Sequence, residues 1–137
     1  MRLNFSEFFQ FICVTLLVSC GEDKIEQPKE IPSEWKGQEV DFRKEFLIES
    51  DENLTILLHR ESAAPFAGQL ERKGTKLNTI QNFEDGRLNG VSIKKSKDGS
   101  WVEANYKNGQ LHGEMIFFGK NGNKRSVLRY ENGKLAN

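Results

Sequence analysis

Through the C-terminal half of the chain, short apolar-rich runs alternate with Asx-Gly pairs. The pairs end at Gly86, Gly99, Gly109, Gly122 and Gly133, at intervals of 13, 10, 13 and 11 residues. Asn-Gly or Asp-Gly between apolar runs signals a two-residue hairpin turn, because a type I′ turn needs positive φ at both central positions. The spacing therefore predicts strands such as WVEANYK (101–107) and QLHGEMIFF (110–118), joined sequentially and antiparallel into a β-meander. Further upstream, VDFRKEFLI and LTILLHR flank SDEN and predict two more strands and a turn. Residues 38–48 match period two poorly, so a helix there stays open as an alternative.

A longer period lies over the hairpins. FEDGRLNG (83–90), YKNGQLHG (106–113) and YENGKLAN (130–137) share one pattern, with opening aromatics Phe83, Tyr106 and Tyr130 spaced 23 and 24 apart. A fixed period of this size marks a repeat architecture. FAGQLERKG (66–74) is a worn copy, and Gly68, Gly90 and Gly113 keep the spacing. A glycine inside a strand commonly marks a bulge or a close approach of backbone. Gly90 and Gly113 are thus expected beneath an aromatic of the neighbouring strand, with Leu88 or Leu111 wedged beside it. The expected fold is all-β: an elongated antiparallel meander of about three 22–24-residue repeats (66–137, best at 83–105 and 106–129, with a stub at 130–137), after a strand-rich lead-in at 34–65.

The N-terminal pattern differs. Residues 8–19, FFQFICVTLLVS, form an apolar run of twelve, short of the roughly 20 residues that span a bilayer. The run suits the apolar region of a secretory signal. It ends in Leu17-Val18-Ser19-Cys20-Gly21, which resembles the lipobox of bacterial lipoproteins. In such proteins the cysteine is acylated and becomes the new N-terminus. The resemblance implies a signal peptide at 1–19, lipid attachment at Cys20, a tether at 20–33 and a location in the bacterial cell envelope, held to a membrane by the lipid. An apolar helix packed on the domain, with Cys20 idle, is the alternative.

Composition narrows the chemistry. Cys13 would leave with the signal and Cys20 would be acylated, which argues against cysteine catalysis, thiolate metal sites and disulfides. Formal net charge is zero. The ten Lys/Arg against six Asp/Glu of residues 83–137 fall short of a nucleic-acid footprint. His59 and His112 do not make a metal site by themselves, and no nucleophile triad, P-loop or dinucleotide fingerprint is present. The expectation is a protein without cofactor or metal and not an enzyme.

The phrase [YF]-x-[ND]-G-x-L-x-G resembles the bacterial MORN-variant repeat, found in proteins grouped as YwqK-type toxin–antitoxin antitoxins. Phe83, Gly86, Leu88 and Gly90 match it, as do Tyr106, Gly109, Leu111 and Gly113. Tyr130, Gly133 and Leu135 match until Asn137 stands in the place of the last glycine. The resemblance implies a binding or spacing scaffold with a protein partner, either an envelope protein or a toxin; the second makes the chain an antitoxin or immunity protein. Trp101, Phe117, Phe118, Arg125 and Arg129 are the candidate binding surface for a peptide, glycan or acidic headgroup. For any one aromatic, a place in the apolar stripe that holds the meander together is the favoured role.

Overall fold

The structure, a computed structural model, describes residues 33–50 and 54–136. The signal region, Cys20 and nearly all of the tether lie outside the described residues, as does Asn137. The elements in chain order are β1 (Glu34–Gln38), α1 (Glu39–Glu45), β2 (Phe46–Ser50), β3 (Thr55–His59) and β4 (Gly68–Lys73). There follow β5 (Leu77–Glu84), β6 (Arg87–Leu88), β7 (Gly90–Ser96), β8 (Trp101–Lys107), β9 (Gln110–Phe118), β10 (Lys124–Glu131) and β11 (Lys134–Leu135). One long sheet runs β1-β4-β5-β7-β8-β9-β10-β11, with β6 on β5, and β2-β3 forms a separate hairpin. Among the described residues the fold is all-β with one short helix, and β8 and β9 keep the bounds read from the sequence.

One pairing departs from the expected antiparallel meander. β1 runs parallel to β4, with Trp35 opposite Leu70 and Gln38 opposite Lys73. A parallel neighbour needs a crossover connection rather than a tight turn. Here α1 and the β2–β3 hairpin supply it.

The question over residues 38–48 resolves into a helix followed by a strand. Glu39 and Asp41 occupy the first turn of α1, and Arg43 and Lys44 the last, matching the helix dipole. Glu39 also pairs with Arg43 one turn on, at 3.2 Å. Seven residues make a marginal helix by themselves. Burial of Phe42 against the core holds this one in place, while Val40 faces out.

The repeat is a strand, a turn, a bent strand and a loop. Asp85-Gly86, Asn108-Gly109 and Asn132-Gly133 have positive φ at both residues (48° and 74°, 50° and 84°, 49° and 79°), as type I′ demands. The other two Asx-Gly pairs correct the expectation. Gly99 and Gly122 are left-handed but Asp98 and Asn121 are not, and Gly99 N–H donates to Ser96 C=O while Ser96 N–H donates to Ser100 C=O. These are three-residue loops in which only the last position is left-handed.

Each bent strand carries two extra residues opposite its partner. Along β8 and β9 the register passes from Ala104↔Met115 to Tyr106↔Leu111. Gly68, Gly90 and Gly113 pair directly with Phe83, Tyr106 and Tyr130 in the ladder, but a β-carbon at Gly90 or Gly113 would meet Asn82 or Asn105 first, not the aromatic. These glycines also have positive φ (134°, 88° and 102°), a backbone demand that the sequence reading assigned only to the turns.

A vertical ladder links successive repeats. Gly86, Gly109 and Gly133 N–H donate to the carbonyls of Phe66, Leu88 and Leu111, each at 2.8 Å. Phe66 thus takes the leucine place of the worn first copy.

The core sits at the N-terminal end of one sheet face, called the inner face. Trp35, Phe42, Phe46, Leu57, Phe66 and Leu70 form it, with Phe83 packed against them. Phe66 is fully enclosed, and Phe46 and Phe83 meet it edge-on at 5.2 and 5.9 Å. Each such side chain contributes about 1.5–3 kcal/mol by burial. The β2–β3 hairpin lies along this face as far as Leu88 and the turn at Gly109.

Candidate functional site

Strand alternation and register divide the candidate surface between two faces. Tyr106, Phe117 and Tyr130 share the inner face, because Phe117 is opposite Val102 and Tyr130 is opposite Gly113. Trp101 and Phe118 are opposite each other on the outer face. The expected single array of aromatics is therefore corrected: Phe117 cannot act with Trp101 and Phe118.

On the outer face, Trp101 and Phe118 stack with centroids 4.5 Å apart and planes 9° from parallel. Their cross-strand neighbours are Lys95 on β7 and Lys124 on β10, giving the row Lys95–Trp101–Phe118–Lys124. A second row runs beside it: Ile80, Ile93, Glu103, Ile116 and Val127. Glu103 interrupts the apolar run, and its carboxylate accepts from Trp101 Nε1–H at 2.9 Å. That bond fixes the indole edge and leaves its ring to lie against Phe118. The two rows make a wide, half-exposed surface, apolar and aromatic with lysines at either side.

The candidate arginines are differently placed. Arg129 reaches back to Glu114 at 3.2 Å while its side chain stays largely exposed. Arg125 lies over the loop at Gly119, where a β-carbon would come within 2.7 Å of its Nε. Nearby, the Ser100 hydroxyl and N–H both donate to Asp98, at 2.6 and 2.9 Å, and hold its carboxyl below the usual carboxylate range.

The remaining repeat residues are structural. Leu88 and Gly109 line a cleft of about 260 Å³ between the hairpin and the inner face, with Leu57, Leu70, Arg72 and Gln81. Arg72 is occupied there, lying 4.6 Å from the Phe42 ring centre and pairing with Glu39 at 3.2 Å. Leu111 and Leu135 close the later hairpins opposite Tyr106 and Tyr130, and Leu135 is exposed. Burial, and then the neighbouring Tyr130, push the Tyr106 phenol above the ordinary tyrosine value.

Two asparagines escaped the sequence reading. Asn82 and Asn105 donate through Nδ2 to the carbonyls of Val91 and Glu114, at 2.8 and 2.9 Å, and so fill the gap opened by each bend. Their signal was an asparagine before the aromatic in both full repeats. His112 and Asn89 also share a role: each accepts the backbone N–H of the next turn, from Asn132 and Asn108 respectively. His59 is buried in β3 against Phe46.

Among the described residues no group of His, Cys, Asp and Glu is arranged to hold a metal ion, and no helix is long and apolar enough to cross a membrane. Comparison with family models, with curated proteins and with solved structures found no match for this chain.

Proposed function

We propose that the chain is a membrane-tethered lipoprotein of the bacterial envelope, and that its repeat sheet is a binding or scaffold module for a protein or polymer partner. The observation that carries the binding role is the outer face, half-exposed among the described residues, where the Trp101–Phe118 stack stands between Lys95 and Lys124 beside Ile93, Ile116 and Val127. Aromatic and aliphatic groups of this kind are what a partner buries to gain affinity, and a rim of lysines orients its approach. A rigid sheet presents them without ordering cost. The tether and anchor rest on the sequence Leu17-Val18-Ser19-Cys20-Gly21.

In-cell photo-crosslinking tests the binding role, with a photoreactive residue placed at Glu103 in the middle of the face or at exposed Ser62 in the hairpin loop. A discrete partner band is expected from position 103 alone, and Trp101→Ala should abolish it. Identical patterns from both positions would refute the assignment of the face. Fatty-acid labelling of Cys20→Ser tests the anchor: label and processing should both be lost, and unchanged label would disprove lipidation at that residue.

A further inference from the structure

The strands β5, β8 and β10 hold equivalent places in successive repeats, but their outer edges are treated differently. The edge of β5 is taken by β7, and that of β8 by β9. β10 has only the two-residue β11 beyond it, at Tyr130 and Glu131; among the described residues, no strand pairs with its outer edge from Lys124 to Leu128. Ala136 N–H donates to Arg129 C=O, so Arg129 turns its backbone groups outward, and Val127, two residues back, does the same.

The side chains change at this edge as well. Where a further strand follows, the place before the aromatic is Asn82 or Asn105, whose amide donates into that strand. In β10 the same place is Arg129. Val127 is 44% exposed, whereas its counterpart Ile80 is half-buried. Lys124, Arg125 and Arg129 outweigh the one acid of the strand, Glu131.

We infer that the outer edge of β10 accepts an acidic, extended segment of a partner protein as an added antiparallel strand. This rests on the reading of the sheet as a binding module and names the chemistry of its partner. Strand addition supplies main-chain hydrogen bonds for affinity and alternate side chains for specificity. Charge selects the occupant. A second copy paired antiparallel about Val127 would set Arg125 against Arg129 of its twin, and like charges directly opposite are destabilising. The sheet itself sets an acid, Glu114, opposite Arg129 on the other side. Basic residues that discourage self-pairing thus favour acids at alternate positions, with an apolar residue between them opposite Val127.

The test uses the full chain in detergent and a fluorescent peptide containing Glu-Leu-Val-Thr-Glu, with Lys-Leu-Val-Thr-Lys as control. Val127→Pro removes one outward donor from an edge strand, where proline is tolerated. Lys124→Glu with Arg125→Glu reverses the charge without touching the backbone. The acidic peptide should bind and protect the Val127 and Arg129 amides from exchange, and the control should not. Either variant should weaken binding about tenfold, the loss of one good hydrogen bond or charge pair. Binding that ignores both variants, or none up to about 1 mM peptide, would overturn the inference. Crosslinks from position 103 that persist in that case show a failure of the edge alone.

Discussion

Leu57 and Gly86 are joined through their backbones: Leu57 N–H donates to Gly86 C=O at 2.7 Å, and Phe66 closes the ring by accepting from Gly86 and donating to Leu57. Three segments distant in sequence thereby share one hydrogen-bonded triangle at the centre of the core. It makes Gly86 unlike the other two glycines of its turn type. A β-carbon there would meet Ile56 Cγ2 at 2.6 Å and Leu57 O at 2.8 Å. At Gly109 it would meet the end of the Leu54 side chain at 3.2 Å, and at Gly133 nothing nearer than 3.9 Å.

Alanine at these three positions should therefore give a graded series. Left-handed backbone costs any of them about 1–2 kcal/mol. Gly133→Ala should show no more than that, and Gly109→Ala slightly more. Gly86→Ala should lose several kcal/mol, in the range of disrupted core packing. Urea unfolding measures all three. Equal losses would show that packing at the turns is irrelevant.

The bend glycines follow a second rule. A β-carbon at Gly113 would lie 3.3 Å from Asn105 Cβ, and one at Gly90 would lie 3.8 Å from Asn82 Cβ. Gly113→Ala should thus destabilise more than Gly90→Ala. Asn105→Ala strands the Glu114 carbonyl in a half-buried bend and should cost about 1 kcal/mol. Asn82→Ala, at the more exposed bend, should cost less. Reversal of either order in denaturant titrations would contradict the close approach.

Much of this was legible in the sequence, and the limits have physical causes. Asx-Gly pairs and glycine spacing encode local backbone demands, so the hairpins β8–β9 and β5–β7 and the aromatic–glycine pairs could be read directly. The division of Trp101 and Phe118 from Phe117 follows from strand parity, which is fixed once β9 is placed. The parallel β1, by contrast, depends on where Trp35 finds a core. That core comes from Phe42, Phe46, Leu57 and Phe66, on four different segments, and no local pattern gathers them.

Thr79 and Ser92 have buried hydroxyls with no hydrogen-bond partner among the described residues. Thr79→Val and Ser92→Ala each remove a polar group that gains nothing from the fold, and each should raise stability by up to about 1 kcal/mol. Thermal melts of the single variants decide it. A fall in melting temperature would mean that the hydroxyls are satisfied in solution.

Tyr106 supplies a pH dependence. Its phenol titrates above the free value when folded, so the unfolded chain ionises first as pH rises through about 10. The neutral form is the one that the fold prefers. Its contribution is complete below the unfolded value and is lost as pH climbs towards the folded one. Tyr106→Phe should therefore lose less stability between pH 9 and 11 than the parent does, with the lysines common to both. Parallel curves would contradict burial as the cause.

The parallel pairing of β1 with β4 also sets a timetable. On the ribosome the chain emerges N-terminus first, but β1 has no partner until α1, the β2–β3 hairpin and β4 have all been made. The later strands each pair with a neighbour one turn away, so their loops close quickly and at little entropic cost. β1 thus waits for four later elements before it can pair, and Trp35 stays in water until the chain returns to Leu70.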